Sequence, residues 1–168
     1  MEIVQLTGKD GNNLLALYRA VAADLKRQNI RQWDWLYPNG FVIRGDLRRG
    51  TAFGVRIGSR IIGAIVVDDR QSKRYEGLPW VDHAVDRVRC IHRLAVDPTC
   101  QGQGIGGKLL RFAEEQALLS GGTSIRLDVY SGNSGAAKLY ARGGYRQVGQ
   151  IRFPLRKEEY ICYEKLLG

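Results

Sequence analysis

The chain has 168 residues, 44% of them hydrophobic and 26% charged, with 26 Lys+Arg against 17 Asp+Glu for a formal net charge of +9. That length and balance fit a single domain over residues 1–168 with a full hydrophobic core, and they exclude disorder as the dominant state. Apolar stretches such as 61–67 are too short to span a bilayer, and the first residues carry no secretion-signal pattern. Three scattered cysteines, Cys90, Cys100 and Cys162, argue against a disulfide framework or a metal site, so a reducing cytoplasm is expected.

Residues 3–6 read as a short strand and 12–28 as an amphipathic helix, with Leu14, Leu17, Tyr18, Val21 and Leu25 at three-to-four spacing and Asp10 or Asn12 as its cap. The aromatic-rich stretch 31–38, with Trp33, Trp35 and Tyr37, ends at Pro38 and reads as a short helix or an ordered loop. Strand-like runs over 51–57 and 60–68 flank Gly58-Ser59, a two-residue hairpin signal. Residues 71–86 are polar and irregular, with Gly77 and Pro79, and read as a surface connection. A strand over 87–96 stops at Asp97-Pro98, and a helix over 105–120 is closed by Gly121-Gly122. A strand over 124–130, a helix over 134–142 closed by Gly143-Gly144, and strands over 145–153 and 160–167 complete the chain. Consecutive strands without a helix between them imply antiparallel pairing, and the later strand–helix–strand unit implies a parallel pair. The expectation is an α/β chain with a mixed sheet and helices packed on it.

The strongest chemical signal is Gln101-Gly102-Gln103-Gly104-Ile105-Gly106-Gly107, where a strand stops and a glycine-rich turn opens a helix. Glycines allow positive φ and close approach of a ligand to the backbone, and the first turn of a helix presents unpaired N–H groups and a positive dipole end to an anion. A pyrophosphate is the natural guest. Gly102, Gly104 and Gly107 also satisfy G-x-G-x-x-G, with Asp128 about 20 residues on. The long antiparallel lead-in and the short chain remaining after Gly107 speak against a dinucleotide fold. No Lys-Ser/Thr pair closes the segment, so it is not a P-loop. A merely structural turn is the bland alternative. The positive charge suits a polyanionic ligand such as CoA or nucleic acid. Basic residues are spread along the chain without a dense run, which argues against nucleic acid as the main partner.

Gln101-x-x-Gly104-x-Gly106 resembles the Q/R-x-x-G-x-G/A motif of the GNAT N-acetyltransferases, and it follows a strand ending Leu94-Ala95-Val96-Asp97-Pro98, as in that family. A second landmark follows in the family's order: Arg126-Leu127-Asp128-Val129-Tyr130-Ser131-Gly132-Asn133, a helix carrying Tyr140, then Gly143-Gly144-Tyr145. The resemblance is closest over residues 88–148. It implies a central mixed, mostly antiparallel sheet of about six to seven strands flanked by about four helices, with a V-shaped splay holding CoA. It also implies acetyl-CoA as cofactor and direct acetyl transfer to a primary amine of a small molecule, amino acid or peptide. The alternative is a CoA-binding regulatory module without turnover.

Carried onto this sequence, the resemblance assigns the CoA diphosphate to backbone amides of Gln101, Gly102, Gln103, Gly104, Ile105, Gly106 and Gly107. Leu94, Ala95 and Val96 would pair with pantetheine like an added strand, one of their N–H groups polarising the thioester carbonyl. Asn133 matches a cofactor-contacting Asn and is equally suited to cap a helix. Tyr140 matches the general acid that protonates the leaving thiolate; its bland alternative is a core aromatic. The general base is left open between His92, on a strand where arylalkylamine-type members carry histidines, and Asp128, where ribosomal-protein-alanine acetyltransferases carry a Glu. Alternation places His92 and Leu94 on one sheet face, and Asp128 is free to pair with Arg126 or Arg93. The Glu of histone-type members is replaced near its position by Cys90. Trp33, Trp35, Tyr37 and Phe153 are candidates for the acceptor pocket or for core packing. No membrane or metal role is expected, and a homodimer is left open.

Overall fold

Seven strands and four α-helices follow one another as β1 (Ile3–Gln5), α1 (Gly11–Arg27), α2 (Gly40–Arg49), β2 (Ala52–Ile57), β3 (Arg60–Asp68), β4 (Val88–Val96), α3 (Ile105–Leu119), β5 (Ser124–Tyr130), α4 (Ser134–Arg142), β6 (Arg146–Ile151) and β7 (Tyr160–Leu166). The computed structural model describes all residues, Met1–Gly168. The strands form one sheet in the order β1-β2-β3-β4-β5-β7-β6. The pairs β1–β2, β2–β3, β5–β7 and β6–β7 are antiparallel, whereas β4–β5 is parallel. This is the mixed sheet that the element order implies, and the mostly antiparallel seven-stranded sheet with four helices that the family resemblance implies. Residues divide into two compact units, Met1–Val67 with His92–Phe112, and Asp68–Ile91 with Ala113–Gly168.

In the first unit, a 3₁₀ turn over Gly8–Asp10, opened by a capping box in which the Thr7 amide donates to Asp10 Oδ2 at 2.7 Å, leads directly into α1. The apolar stripe of α1, Leu14, Leu17, Tyr18 and Val21, is buried in a cluster that also contains Leu6, Ile43 and Ala95. Each fully buried Leu or Ile contributes about 1.5–3 kcal/mol. The β2–β3 hairpin turns through Gly58 at φ 59°, as the Gly58-Ser59 signal predicts. Seven consecutive residues of β3, Ile61–Val67 in sequence, are buried, the mark of a strand covered on both faces.

Helix α2 has no counterpart in the sequence reading. Gly40 and Gly45 lower its helix propensity, and its buried stripe is only Ile43, Asp46 and Leu47. Its signals are terminal instead. Asn39 accepts from the amides of Phe41 and Val42 at 3.0 and 3.2 Å, and Gly50 closes the helix at φ 69°. Residues 31–38 form turns rather than a helix, with the Asp34 carboxylate accepting from the Leu36 and Tyr37 amides.

In the second unit, the parallel ladder pairs Val88, Arg89 and Cys90 with Ser124, Ile125 and Arg126, while β7 pairs with β5 along its full length. Helix α4 is capped by Asn133, whose side chain accepts from the Ala136 amide at 3.1 Å. The connection read as a surface loop is tied down. Tyr75 and Trp80 are buried, and Glu164 of β7 accepts from the amides of Val81 and Asp82 at 2.8 and 3.1 Å. Arg126 of β5 donates to Gln71 and to the Asp82 carbonyl, and its guanidinium lies 4.2 Å over the Trp80 ring.

Candidate active site

The glycine segment belongs to the first unit. Gln101, Gly102, Gln103 and Gly104 are exposed, and Gly102 and Gly104 both have φ 77°, the left-handed region that glycine enters without penalty. A Cβ at either position would have no atom within 4 Å, so their faces are open to an approaching ligand. Helix α3 begins at Ile105, and the Lys108 amide donates to the Gly104 carbonyl at 3.1 Å. By helix geometry the amides of Ile105, Gly106 and Gly107 therefore point out of the N-terminal end. Two contacts place this end. Ile105 is buried against Gly63 of β3, where an added Cβ would stand 2.7 Å from Ile105 Cγ2. Upstream, Asp97 accepts from the Thr99 amide and hydroxyl at 2.9 and 2.6 Å, and Arg60 bridges Asp97 and Thr99 at 2.7 and 2.8 Å. Burial pushes the Asp97 carboxyl up, but the hydrogen bonds from Thr99 and Arg60 outweigh it and hold it below the usual range.

Strand β4 carries His92, Leu94, Ala95 and Val96 in the first unit. Ala95 is buried, and the other three are half-buried. Arg93 has φ 50°, uncommon for a non-glycine residue and costing about 1–2 kcal/mol. The simple alternation that would set His92 and Leu94 on one face does not carry through such a residue. The Arg93 side chain is anchored: Nε and Nη2 donate to Asp46 Oδ2 and Oδ1 at 2.9 and 2.7 Å, and Nη1 donates to the Tyr37 hydroxyl at 2.7 Å. The aromatic trio of 33–37 separates. Trp33 is buried edge-on to Tyr18, Tyr37 serves Arg93, and Trp35 is 87% exposed.

In the second unit, β5 is buried at every position except Asp128, which is half-buried. The Tyr75 hydroxyl donates to Asp128 Oδ2 at 2.6 Å. Tyr140 of α4 is buried, 5.8 Å from the Tyr163 ring and 5.9 Å from the Tyr145 ring. Burial raises its phenol well above the ordinary value, and the charge of Asp128 and the Tyr163 phenol add to the rise. Tyr140 therefore stays protonated through neutral pH. Cys90 is pushed up by burial and Cys162 is pushed up to about 12, so both thiols are neutral as well. Phe153 lies half-buried, edge-on to Tyr160 at 4.9 Å.

A glycine turn opening a helix after a bent strand, followed by an Asp-bearing strand and a Tyr-bearing helix, is an order of parts that known proteins share. The acetyltransferase (GNAT) family profile matches residues 14–145. This chain belongs to that family. As an acyltransferase it is 25% identical over 143 residues to the uncharacterized N-acetyltransferase YesJ of Bacillus subtilis, covering 84% of this chain and 79% of that protein. It is 39% identical over 62 residues, 37% of each chain, to the N-alpha-acetyltransferase RimI of Mycobacterium tuberculosis. A GNAT-family acetyltransferase structure from Streptococcus agalactiae superposes with a TM-score of 0.83 at 20% identity, covering 99% of this chain and 95% of that one. The ribosomal-protein-S18-alanine N-acetyltransferase of Escherichia coli superposes with a TM-score of 0.72 at 16% identity, covering 99% and 94%. These likenesses to solved structures concern the fold.

Within each unit of the acetyltransferase the predicted residues meet selectively. Asp128 and Tyr140 act on each other electrostatically, and Asn133 caps the helix that carries Tyr140. Of the two arginines considered for Asp128, Arg93 is bonded to Asp46 and Tyr37, and Arg126 to Gln71, Asp82 and Glu164. Tyr75, Asp46 and Arg60 are absent from the sequence prediction. Two buried-type aromatics, Tyr75 and Trp80, inside an otherwise polar connection were the available signal for the first of these.

Proposed function

We propose that the protein is an acetyl-CoA-dependent N-acetyltransferase that transfers acetyl directly to the primary amine of a small molecule, amino acid or peptide. The observation that carries this is the exposed turn at Gly102 and Gly104, open above both glycines and running straight into the amides of the first turn of α3. Its shape and polarity fit a diphosphate. Acetyl-CoA, the family's general donor, would supply the activated thioester. The amides of residues 101–107 hold the diphosphate, and the backbone of Leu94, Ala95 and Val96 aligns the pantetheine, with Asn133 as a further cofactor contact. Asp128 takes the proton from the acceptor amine, directly or through water, and His92 is the second candidate for that step. Tyr140 gives a proton to the departing sulfur. A phenol weaker than the thiol it serves must be held in place to do so, and the packing of Tyr140 against Tyr145 and Tyr163 provides that. Trp35, Tyr37 and Phe153 are the aromatic candidates for acceptor contact; Trp33, buried in the core cluster, contributes by packing.

Isothermal titration with acetyl-CoA, followed by a thiol-release screen over amines, polyamines, amino acids, aminoglycosides and peptide N-termini, tests the proposal. Saturable binding and amine-stimulated release are expected, and absence of binding at millimolar cofactor sinks it. Binding without release for any amine would favour a CoA-binding regulatory module. Tyr140→Phe is expected to lower kcat by about 10²-fold while leaving acetyl-CoA affinity in place.

A further inference from the structure

We propose that Tyr75 is a positioning residue for Asp128: its hydroxyl fixes the carboxylate and favours its ionised form, so that the β3–β4 connection sets the pH at which the acceptor amine can be deprotonated. This rests on the reading of Asp128 as the proton acceptor.

Tyr75 arrives at Asp128 from 53 positions away in sequence, donating to Oδ2 at 2.6 Å. Its position is determined several times over. The Tyr75 amide donates to the Ser72 carbonyl at 3.0 Å in a short 3₁₀ turn whose Ser72 side chain accepts from the Arg74 amide. The Trp80 indole N–H donates to the Tyr75 carbonyl at 2.8 Å, and the two rings pack at 5.2 Å. Trp80 is covered by the Arg126 guanidinium, and the residues that follow it are fastened to Glu164. A hydroxyl delivered with so many constraints, onto the one strand position of β5 that is not fully buried, is suited to orient a working carboxylate.

A hydrogen bond to the charged form favours that form, and it is worth more where solvent is partly excluded. Titratable groups that interact with Asp128 include Tyr75 from the connection, Cys90 from β4, Cys162 from β7, where it is the direct cross-strand partner, and Tyr140 from α4. All four are pushed upward and neutral near pH 7, so none of them gains or loses charge while the carboxylate titrates.

The test is a ¹³C-carboxyl NMR titration of the full chain, with the Asp128 resonance assigned by its loss in Asp128→Asn. Tyr75→Phe keeps the ring against Trp80 and removes only the hydroxyl. Its Asp128 midpoint is expected to rise by about one pH unit. The acidic limb of kcat/KM, measured with acetyl-CoA and the amine giving fastest release, is expected to move by the same amount, with acetyl-CoA affinity unchanged. Adding Tyr75→Phe to Asp128→Asn is expected to cost no further rate. An unmoved midpoint in Tyr75→Phe overturns the proposal. If Asp128→Asn abolishes the limb while Tyr75→Phe leaves it in place, the positioning role fails and Asp128 stands as the proton acceptor. If Asp128→Asn keeps rate and limb, the reading of Asp128 fails and the positioning role fails with it. Should Tyr75→Phe not fold, 3-fluorotyrosine at position 75 strengthens the donor and is expected to lower the midpoint; no change there overturns the proposal equally.

Discussion

Replacing Asp46 by Asn removes one charge from the most buried ion pair of the first unit while keeping the side chain's shape. Asp46 is 0% exposed in its side chain and Arg93 9%. The carboxylate accepts from Arg93 at 2.9 and 2.7 Å and from Arg49 at 2.8 Å. In the variant one amide oxygen can still accept, but the other position becomes an N–H₂ facing guanidinium donors. Arg93 is then left buried without a counter-charge. Breaking a buried pair from one side costs about 3–5 kcal/mol. The surviving bonds to the Tyr37 hydroxyl and to the amide oxygen place the expected loss near the low end, about 3 kcal/mol. For a chain of this size that corresponds to a fall in Tm of roughly 6–12 °C. Thermal unfolding followed by circular dichroism, with urea titration for the free energy, measures it. Arg49→Ala is the internal comparison. Its side chain is 37% exposed, so the same carboxylate should lose less than about 1 kcal/mol when that partner goes. An Asp46→Asn protein within 1 kcal/mol of the parent, or an Arg49→Ala protein equally destabilised, would refute the assignment of Arg93–Asp46 as the buried anchor of α2.

Gly63→Ala should cost about 1–3 kcal/mol by overpacking, because the new methyl would meet Ile105 Cγ2 at 2.7 Å and Leu109 Cδ1 at 3.1 Å. Since the same contact seats the first turn of α3, acetyl-CoA affinity should weaken with it, and calorimetry beside thermal unfolding reads both. Asp97→Asn should flatten the acid side of the stability curve. The folded carboxyl lies below its unfolded value, so the unfolded chain binds more protons in that interval. Its contribution is present above about pH 4 and is lost as pH falls through the folded value, so the parent should lose more stability than the variant on acidification below pH 4. Iodoacetamide on the native protein should modify Cys100 alone, since Cys90 and Cys162 are buried with raised thiol values, and CoA should slow that reaction. Rapid labelling of two or three thiols, counted by intact mass, would contradict the burial described.

Much of this protein is written in short-range signals. The glycine turn at 101–107, the Gly58-Ser59 hairpin, the strand over Ser124–Tyr130 and the capped helix Ser134–Arg142 each rest on neighbours within a few residues, and the structure has them where the sequence puts them. Helix α2 was missed because its glycines mask its propensity and its signature lies in the caps, Asn39 and Gly50. What tertiary structure alone decided is the pairing of distant polar groups. Asp46 finds Arg93 across 47 positions, and Asp128 finds Tyr75 across 53. With 26 basic and 17 acidic residues, no local pattern says which cation meets which carboxylate. That choice follows from strand order and from which few charges end up where water does not reach. The left-handed backbone at Arg93 is of the same kind: nothing in an arginine favours it, and it is held by contacts that exist only once α2 and the Tyr37 loop have packed.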